Sequence, residues 1–276
     1  ATDFDGEFGK YQYHYDANIY KNRVFDSHGV ADPDAELVLG PNIKDWPVMG
    51  ALPENMVLQV VSEIHDPVTT TDELIPSGET SSYRSNPLRL SEFALSRRVP
   101  EYVGRSKAIH ALDLERRDGK APEELMKVLG NFGDASALLK NTQYGSCVFA
   151  NKPGDGSARE QAASCQKVLG GWANIAQEYA TKRYRSNLIN WGMLPFTLEP
   201  GMELTGDVGD ALFIPNVRAG LLDGASPCGI RGDDRGSGGL DLLSRRLRTV
   251  ARQPPDGPPA ALDGAAVAEL GRVRTL

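Results

Sequence analysis

Gly154-Asp155-Gly156-Ser157-Ala158-Arg159-Glu160 is a glycine-rich turn that delivers a serine and an arginine to the start of a helix. The glycines permit a sharp turn and expose the backbone. Ser157, followed three residues later by Glu160, has the spacing of a capping box. In that arrangement the hydroxyl accepts a backbone N–H of the first turn, and the carboxylate accepts the N–H of the cap residue itself. The same helix end carries unpaired N–H groups and partial positive charge, which would stabilise a serine alkoxide or a substrate carboxylate. Arg159 adds a guanidinium suited to bidentate carboxylate binding. On these residues alone an ordinary N-cap beside a surface arginine is the commoner meaning of the pattern, and both readings stay open.

Working outward, Tyr144–Ala150 reads as a strand or its exit that leads into this turn, and the helix begun at Ser157 runs through Ala162, Ala163 and Val168 until Gly170-Gly171 stops it. Trp172–Ala176 is strand-like or helical. Upstream, Met56–Val61 is an apolar, β-branched run of strand length. It ends in a threonine-rich turn, Thr69-Thr70-Thr71-Asp72, where Asp72 suits a helix cap or an Asx-turn. Pro76–Arg84 extends this into a polar loop longer than connection alone requires. Leu88, Leu90, Phe93 and Leu95 suggest a short packed segment, with Arg97 and Arg98 as its solvated end. Pro122–Leu129 predicts a helix closed by Gly130, and Gly209–Pro215 predicts a turn feeding a late strand.

The two ends differ from this middle. Residues 1–50 interleave Tyr11, Tyr13, Tyr15 and Tyr20 with polar groups, as an interdomain arm or as one edge strand. Residues 221–276 contain eight arginines but no lysine and no aromatic residue, a composition expected of a disordered tail, with a short helix near Ala265–Leu270. A shifted reading frame is a second explanation of that end. The compact domain is then expected over residues 51–220.

The 276 residues, 40% of them hydrophobic, are enough for a sizeable core. A net charge of −7 argues against nonspecific nucleic-acid binding, which comes from clustered Lys and Arg. Three cysteines, Cys147, Cys165 and Cys228, form no CxxC pair and no disulfide framework, which fits a reducing, cytoplasmic setting. Four histidines, His14, His28, His65 and His110, are scattered without metal-ligand spacing, so no metal site is expected on this chain. No apolar run approaches the roughly 18 residues of a membrane span.

Three separated pieces together resemble the C-terminal swivel domain of the aconitase family. The first is His65-Asp66-Pro67-Val68-Thr69-Thr70-Thr71-Asp72-Glu73-Leu74-Ile75-Pro76-Ser77-Gly78, which looks like that family's Thr-Thr-Asp-His-Ile-Ser turn. The second is the Gly-Asp-Gly-Ser-Ala-Arg-Glu stretch, similar to the family's Gly-Ser-Ser-Arg-Glu motif. The third is Leu169-Gly170-Gly171, then Ser186-Asn187-Leu188, then Gly192-Met193-Leu194-Pro195, in the family's order and spacing. The resemblance spans about residues 55–217 and is nearest to the bacterial aconitase-like hydratases.

The resemblance implies an α/β fold of three-layer β/β/α type, as in the isopropylmalate-isomerase small subunit. It implies a hydro-lyase acting on a small di- or tricarboxylic hydroxy acid. Ser157 matches the family's base, Arg159 and Arg84 match its carboxylate-binding arginines, and Asp72 would order the site. Departures stand at Ala158, where the family has a second serine, and at Glu73 and Ile75, where it has histidine and serine. The family uses a 4Fe-4S cluster held by three cysteines of preceding domains, so the ligands are expected elsewhere, on other domains or a large subunit. This chain alone is expected to be inactive. The alternatives are a free-standing isopropylmalate-isomerase small subunit, an RNA-binding or regulatory module, and an inactive fragment.

Overall fold

The computed structural model describes residues 14–21, 29–36, 38–198 and 207–222, together with the backbones of residues 231–232 and 248–249. Ala1–Gly40 and Pro41–Leu276 are separate compact units. The described part of the first holds one helical turn, α1 (Asn18–Lys21). The expected helix near Ala265–Leu270 and most of the expected tail lie outside the described residues.

Four strands form the parallel centre of the second unit. They are β1 (Asn55–Ile64), β3 (Thr142–Ala150), β5 (Gly171–Ala176) and β6 (Leu194–Thr197), side by side in that order. Between β1 and β3 the chain forms β2 (Thr69–Thr70), α2 (Thr71–Leu74), α3 (Pro87–Ser91), α4 (Tyr102–Arg117), α5 (Glu123–Gly130) and α6 (Ala135–Asn141). After β3 come β4 (Pro153–Asp155) and α7 (Arg159–Val168), and α8 (Lys182–Asn190) connects β5 to β6. β7 (Ala211–Ile214) pairs antiparallel with β1, pairing Met56 with Ile214 and Gln59 with Ala211. The chain then forms α9 (Val217–Leu222), and β8 (Arg231–Gly232) and β9 (Arg248–Thr249) complete a seven-stranded sheet.

The layering follows from strand order. Each parallel connection steps the same way across the sheet, and such crossovers are right-handed, so their helices collect on one face. On that face Val57, Val61, Tyr144 and Val148 pack against Leu90, Tyr102, Ile109, Leu125, Leu129, Cys165, Tyr184 and Leu188 from the helical segments. The other face carries Met56, Leu58, Val60, Cys147, Phe149, Trp172, Ile175, Phe196, Leu212 and Ile214. These residues come almost wholly from strands, and they join β6 and β7 from opposite sides of the sheet in one cluster. The sheet is therefore curled over its own face, which gives the β, β and α layers of the expected α/β class. Strands buried on both faces read as continuous apolar runs, as β1 and β3 do. A register shift between Val60 and Ser62 flips the alternation, so that Ile64 joins the helix-side cluster out of phase with Val57 and Val61.

Tyr102, Ser106, Ile109 and Asp113 are the buried stripe of α4, at helical spacing but half polar. This longest described helix carries no clear apolar signature in sequence. The helix predicted over Pro122–Leu129 is α5, with Pro122 at its N-cap. Trp172–Ala176 is strand, and the chain leaves α7 through Gly170 at φ +89°, a left-handed conformation suited to glycine.

Candidate functional site

β1 and β3 leave the sheet side by side and are held together beyond their ends. Asn151 N donates to Ile64 O at 3.1 Å, Asn151 Nδ2 donates to His65 O at 2.6 Å, and Thr69 N donates to Lys152 O at 3.0 Å. The two chains then pair again as β2 and β4, a parallel ribbon matching Thr69 with Pro153 and Thr70 with Asp155. Asp72 lies two residues beyond Thr70, and Ser157 two beyond Asp155. A parallel ribbon releases both from the same end, so two motifs 85 positions apart in sequence become neighbours. The ribbon stands at the carboxyl ends of parallel strands, where ligands of α/β sheets bind.

Glycines make this approach possible. Gly156 has φ +128°, and a Cβ there would overlap Thr71 Oγ1. Gly154 has φ +97° and lies flat against the Tyr184 ring, while Thr181 Oγ1 donates to Gly154 O at 3.1 Å. The Tyr184 hydroxyl accepts from Gln166 Nε2 at 2.9 Å and Asn174 Nδ2 at 2.8 Å, which fastens α7, β5 and α8 behind the turn.

The capping box expected at Ser157 and Glu160 does not form. Ser157 is exposed in a bend, the N-cap of α7 is Ala158, and no side chain caps the helix. Glu160 Oε1 instead accepts from Trp191 Nε1 at 3.1 Å. The chain enters α7 one residue later than the pattern implies, and Ala158 has no oxygen to offer. A capping box occurs at the other motif, where Glu73 N donates to Thr70 Oγ1 at 3.2 Å and Thr70 N donates to Glu73 Oε2 at 2.7 Å. Glu73 thus has a local structural partner. The Ser157 hydroxyl is left exposed beside an uncapped helix N-terminus.

Arg159 is the first residue of α7; it is half-buried, and its Nε is buried without a hydrogen-bond partner among the described residues. Arg84 is exposed at the end of a 3₁₀ turn (Ser81–Tyr83), three residues before α3, and α3 packs on α7. Asp72 is not paired with Arg84. Its Oδ2 accepts from Arg97 Nη1 at 2.8 Å, and its Oδ1 accepts from Ser77 N at 3.1 Å. Arg97 also bonds Glu79 Oε1 at 2.6 Å, and those partners hold its guanidinium above its ordinary pKa. Arg98 pairs with Asp66. The arginine pair is therefore tied to the turn's carboxylates rather than forming a merely solvated end. No sequence spacing links Arg97 to Asp72, because the contact depends on how the loop folds back.

The far end of α7 buries charge. Lys167 Nζ stands 3.3 Å from the centroid of the Trp172 ring, with Gly192 O at 3.4 Å. Burial lowers its pKa to about 7, Arg117 adds to that, and Asp113 opposes it. His110, packed against Gly170, is lowered by burial as well.

Among the described residues no group of three His, Cys, Asp or Glu side chains is placed to hold a metal ion. Cys147 and Cys165 are buried free thiols, and burial pushes both well above the ordinary range. Neither offers a thiolate at neutral pH, and Cys228 lies outside the described residues. The described residues therefore do not fit a 4Fe-4S cluster. Among the described residues no helix is long and apolar enough to cross a membrane.

No curated protein matches the chain significantly. Among solved structures, the crystal structure of 3-isopropylmalate dehydratase (leuD) from Methanocaldococcus jannaschii is similar at 18% identity and a TM-score of 0.39, covering 70% of this chain and 80% of that one. The family model of the aconitase C-terminal domain matches residues 108–201, a span that holds β3, the Ser157 turn, α7, β5 and α8. Over residues 108–201 the chain is thus similar in sequence to the aconitase C-terminal domain.

Proposed function

We propose that this chain supplies the swivel-domain half of an aconitase-type hydro-lyase acting on a small di- or tricarboxylic hydroxy acid. The observation that carries this reading is the β2–β4 ribbon, which sends Asp72 and Ser157 off the same end of a parallel pair. The exposed Ser157 hydroxyl beside an uncapped helix start supports the role of base. As alkoxide it takes the proton from the carbon next to a substrate carboxylate, and that electron pair forms the C=C bond as the neighbouring hydroxyl leaves. A serine is a base near neutral pH only where positive charge favours its anion, and the α7 N-terminus and Arg159 offer such a field.

In this reading Arg159 and Arg84 hold substrate carboxylates and Asp72 orders the turn through Ser77 and Arg97. By the resemblance, a 4Fe-4S cluster would be held by partner domains or a large subunit and would supply the Lewis acid that takes up the departing hydroxide. The test is Ser157→Ala in the complete enzyme. Turnover falls by at least about 10³-fold while substrate affinity stays within a few-fold, because the clamps remain. Retained turnover rejects the assignment. Turnover of aconitate or isopropylmalate by the purified chain alone would reject the half-site.

A further inference from the structure

A cleft of about 600 Å³ opens at the opposite end of the sheet from Ser157. Its wall includes Gln143 at the start of β3, Gly50 to Pro53 ahead of β1, and the last turn of α4. β3 alone is nine residues long, so the cleft and the ribbon lie about 30 Å apart. It is a different place from the candidate site.

Four cations line this cleft: Arg116, Arg117, Lys120 and Lys140. No carboxylate is among its lining residues, although the chain as a whole carries 37 acidic residues against 30 basic ones. The two arginines are anchored from below by one buried carboxylate. Asp113, 1% exposed, accepts from Arg116 Nε at 2.9 Å and from Gln143 Nε2 at 2.8 Å, and pairs with Arg117 Nη2 at 2.7 Å. Gly50 closes on Arg117 from the other side, where a Cβ would stand 2.7 Å from Nη1. These contacts fix both guanidiniums and leave further N–H groups for an incoming ligand. Lys120 and Lys140 are exposed and make no ion pair among the described residues. Ala51, Pro53, Met126 and Leu139 supply apolar walls.

We propose that this cleft is a second small-molecule site, which takes a compact polyanion carried on an apolar body. Preset guanidiniums match the oxygens of phosphate or carboxylate, and the exposed lysines complete the neutralisation. The volume falls in the range of small-ligand pockets and exceeds what a bare inorganic anion fills. The site does not depend on the catalytic reading of Ser157.

Titration calorimetry of the full chain tests this with three probes: ADP, benzene-1,3,5-tricarboxylate and inorganic pyrophosphate. ADP or the tricarboxylate is expected to bind, more tightly than pyrophosphate and less tightly as salt rises. Which of the two binds tells phosphate from carboxylate chemistry. Lys120→Glu/Lys140→Glu, at exposed positions, is expected to leave the melting curve unchanged and to weaken binding at least tenfold, whereas Arg84→Ala is expected to leave binding intact. Absence of heat from both organic anions overturns the proposal. So does binding that survives the double charge reversal, or that disappears with Arg84→Ala.

Discussion

Gly156 and Thr71 meet across the β2–β4 ribbon with no room for a single carbon between them: a Cβ on Gly156 would overlap Thr71 Oγ1. This contact holds the serine turn against the aspartate turn. Gly156→Ala would add both that overlap and strain at φ +128°, and is expected to cost at least about 2 kcal/mol. Thermal unfolding checks it. In the complete enzyme the same variant is expected to lose turnover although no reacting group is altered. An unchanged melting curve would mean that the two turns part freely.

Ser157 and Thr70 are expected to behave oppositely on truncation. Ser157 caps nothing and is exposed, so Ser157→Ala should change stability by less than about 0.5 kcal/mol while removing turnover. Thr70 caps α2 in a complete capping box, so Thr70→Ala should cost about 1 kcal/mol. Denaturant unfolding of both variants separates base from cap. A Ser157→Ala cost equal to that of Thr70→Ala would restore the capping role.

Arg97 and Asp72 form a pair half open to solvent, where water and salt screen it, so it adds little to folding stability. Its expected importance is positional. In the complete enzyme Arg97→Ala and Asp72→Asn should each lower kcat/KM, and the double variant should lose little more than the worse single one. Strictly additive losses would show that Arg97 does not act through Asp72.

Lys167 links stability to pH. Its folded-state pKa of about 7 lies below the ordinary value of 10.5, so between those limits the unfolded chain binds more protons. Stability from this group therefore rises with pH across that window, and the full penalty applies below about pH 7. His110, Arg117 and Asp113 face the same cluster, and His110, also depressed, has the same sign at lower pH. Lys167→Met should stabilise the fold by about 1–3 kcal/mol at pH 6, after loss of its contact with Trp172, and by much less near pH 10. Denaturant curves across that range check it, and identical pH profiles for parent and variant would exclude the linkage.

Strands β1, β3 and β7 were legible because residues buried on both faces leave apolar, β-branched runs. α5 was legible because proline, acids and glycine mark its ends. α4 was not, since Ser106 and Asp113 sit in its buried stripe. α8 leaves no apolar periodicity in the sequence either, because only Tyr184 and Leu188 of its nine residues are buried. At the candidate site, the family resemblance points to Asp72, Arg84, Ser157 and Arg159, but the local pattern that made Ser157 a cap was misleading. Helix initiation depends on backbone dihedrals at Ala158, and a three-residue spacing does not specify them.

The linear chain by itself determined which chemical groups are available: a serine and arginine behind glycines, an aspartate after threonines, and thiols too scattered for a ligand set. Those are properties of residue type and near-neighbour spacing, which survive without a fold. Only the tertiary structure decided which groups meet. The pairing of Thr70 with Asp155, the hold of Arg97 on Asp72, and the gathering of Arg116, Arg117, Lys120 and Lys140 around one cleft all join residues far apart in sequence or on different elements. Strand register and helix packing fix such distances, because burying both sheet faces leaves one arrangement in which the backbone is paired and the apolar surface is covered.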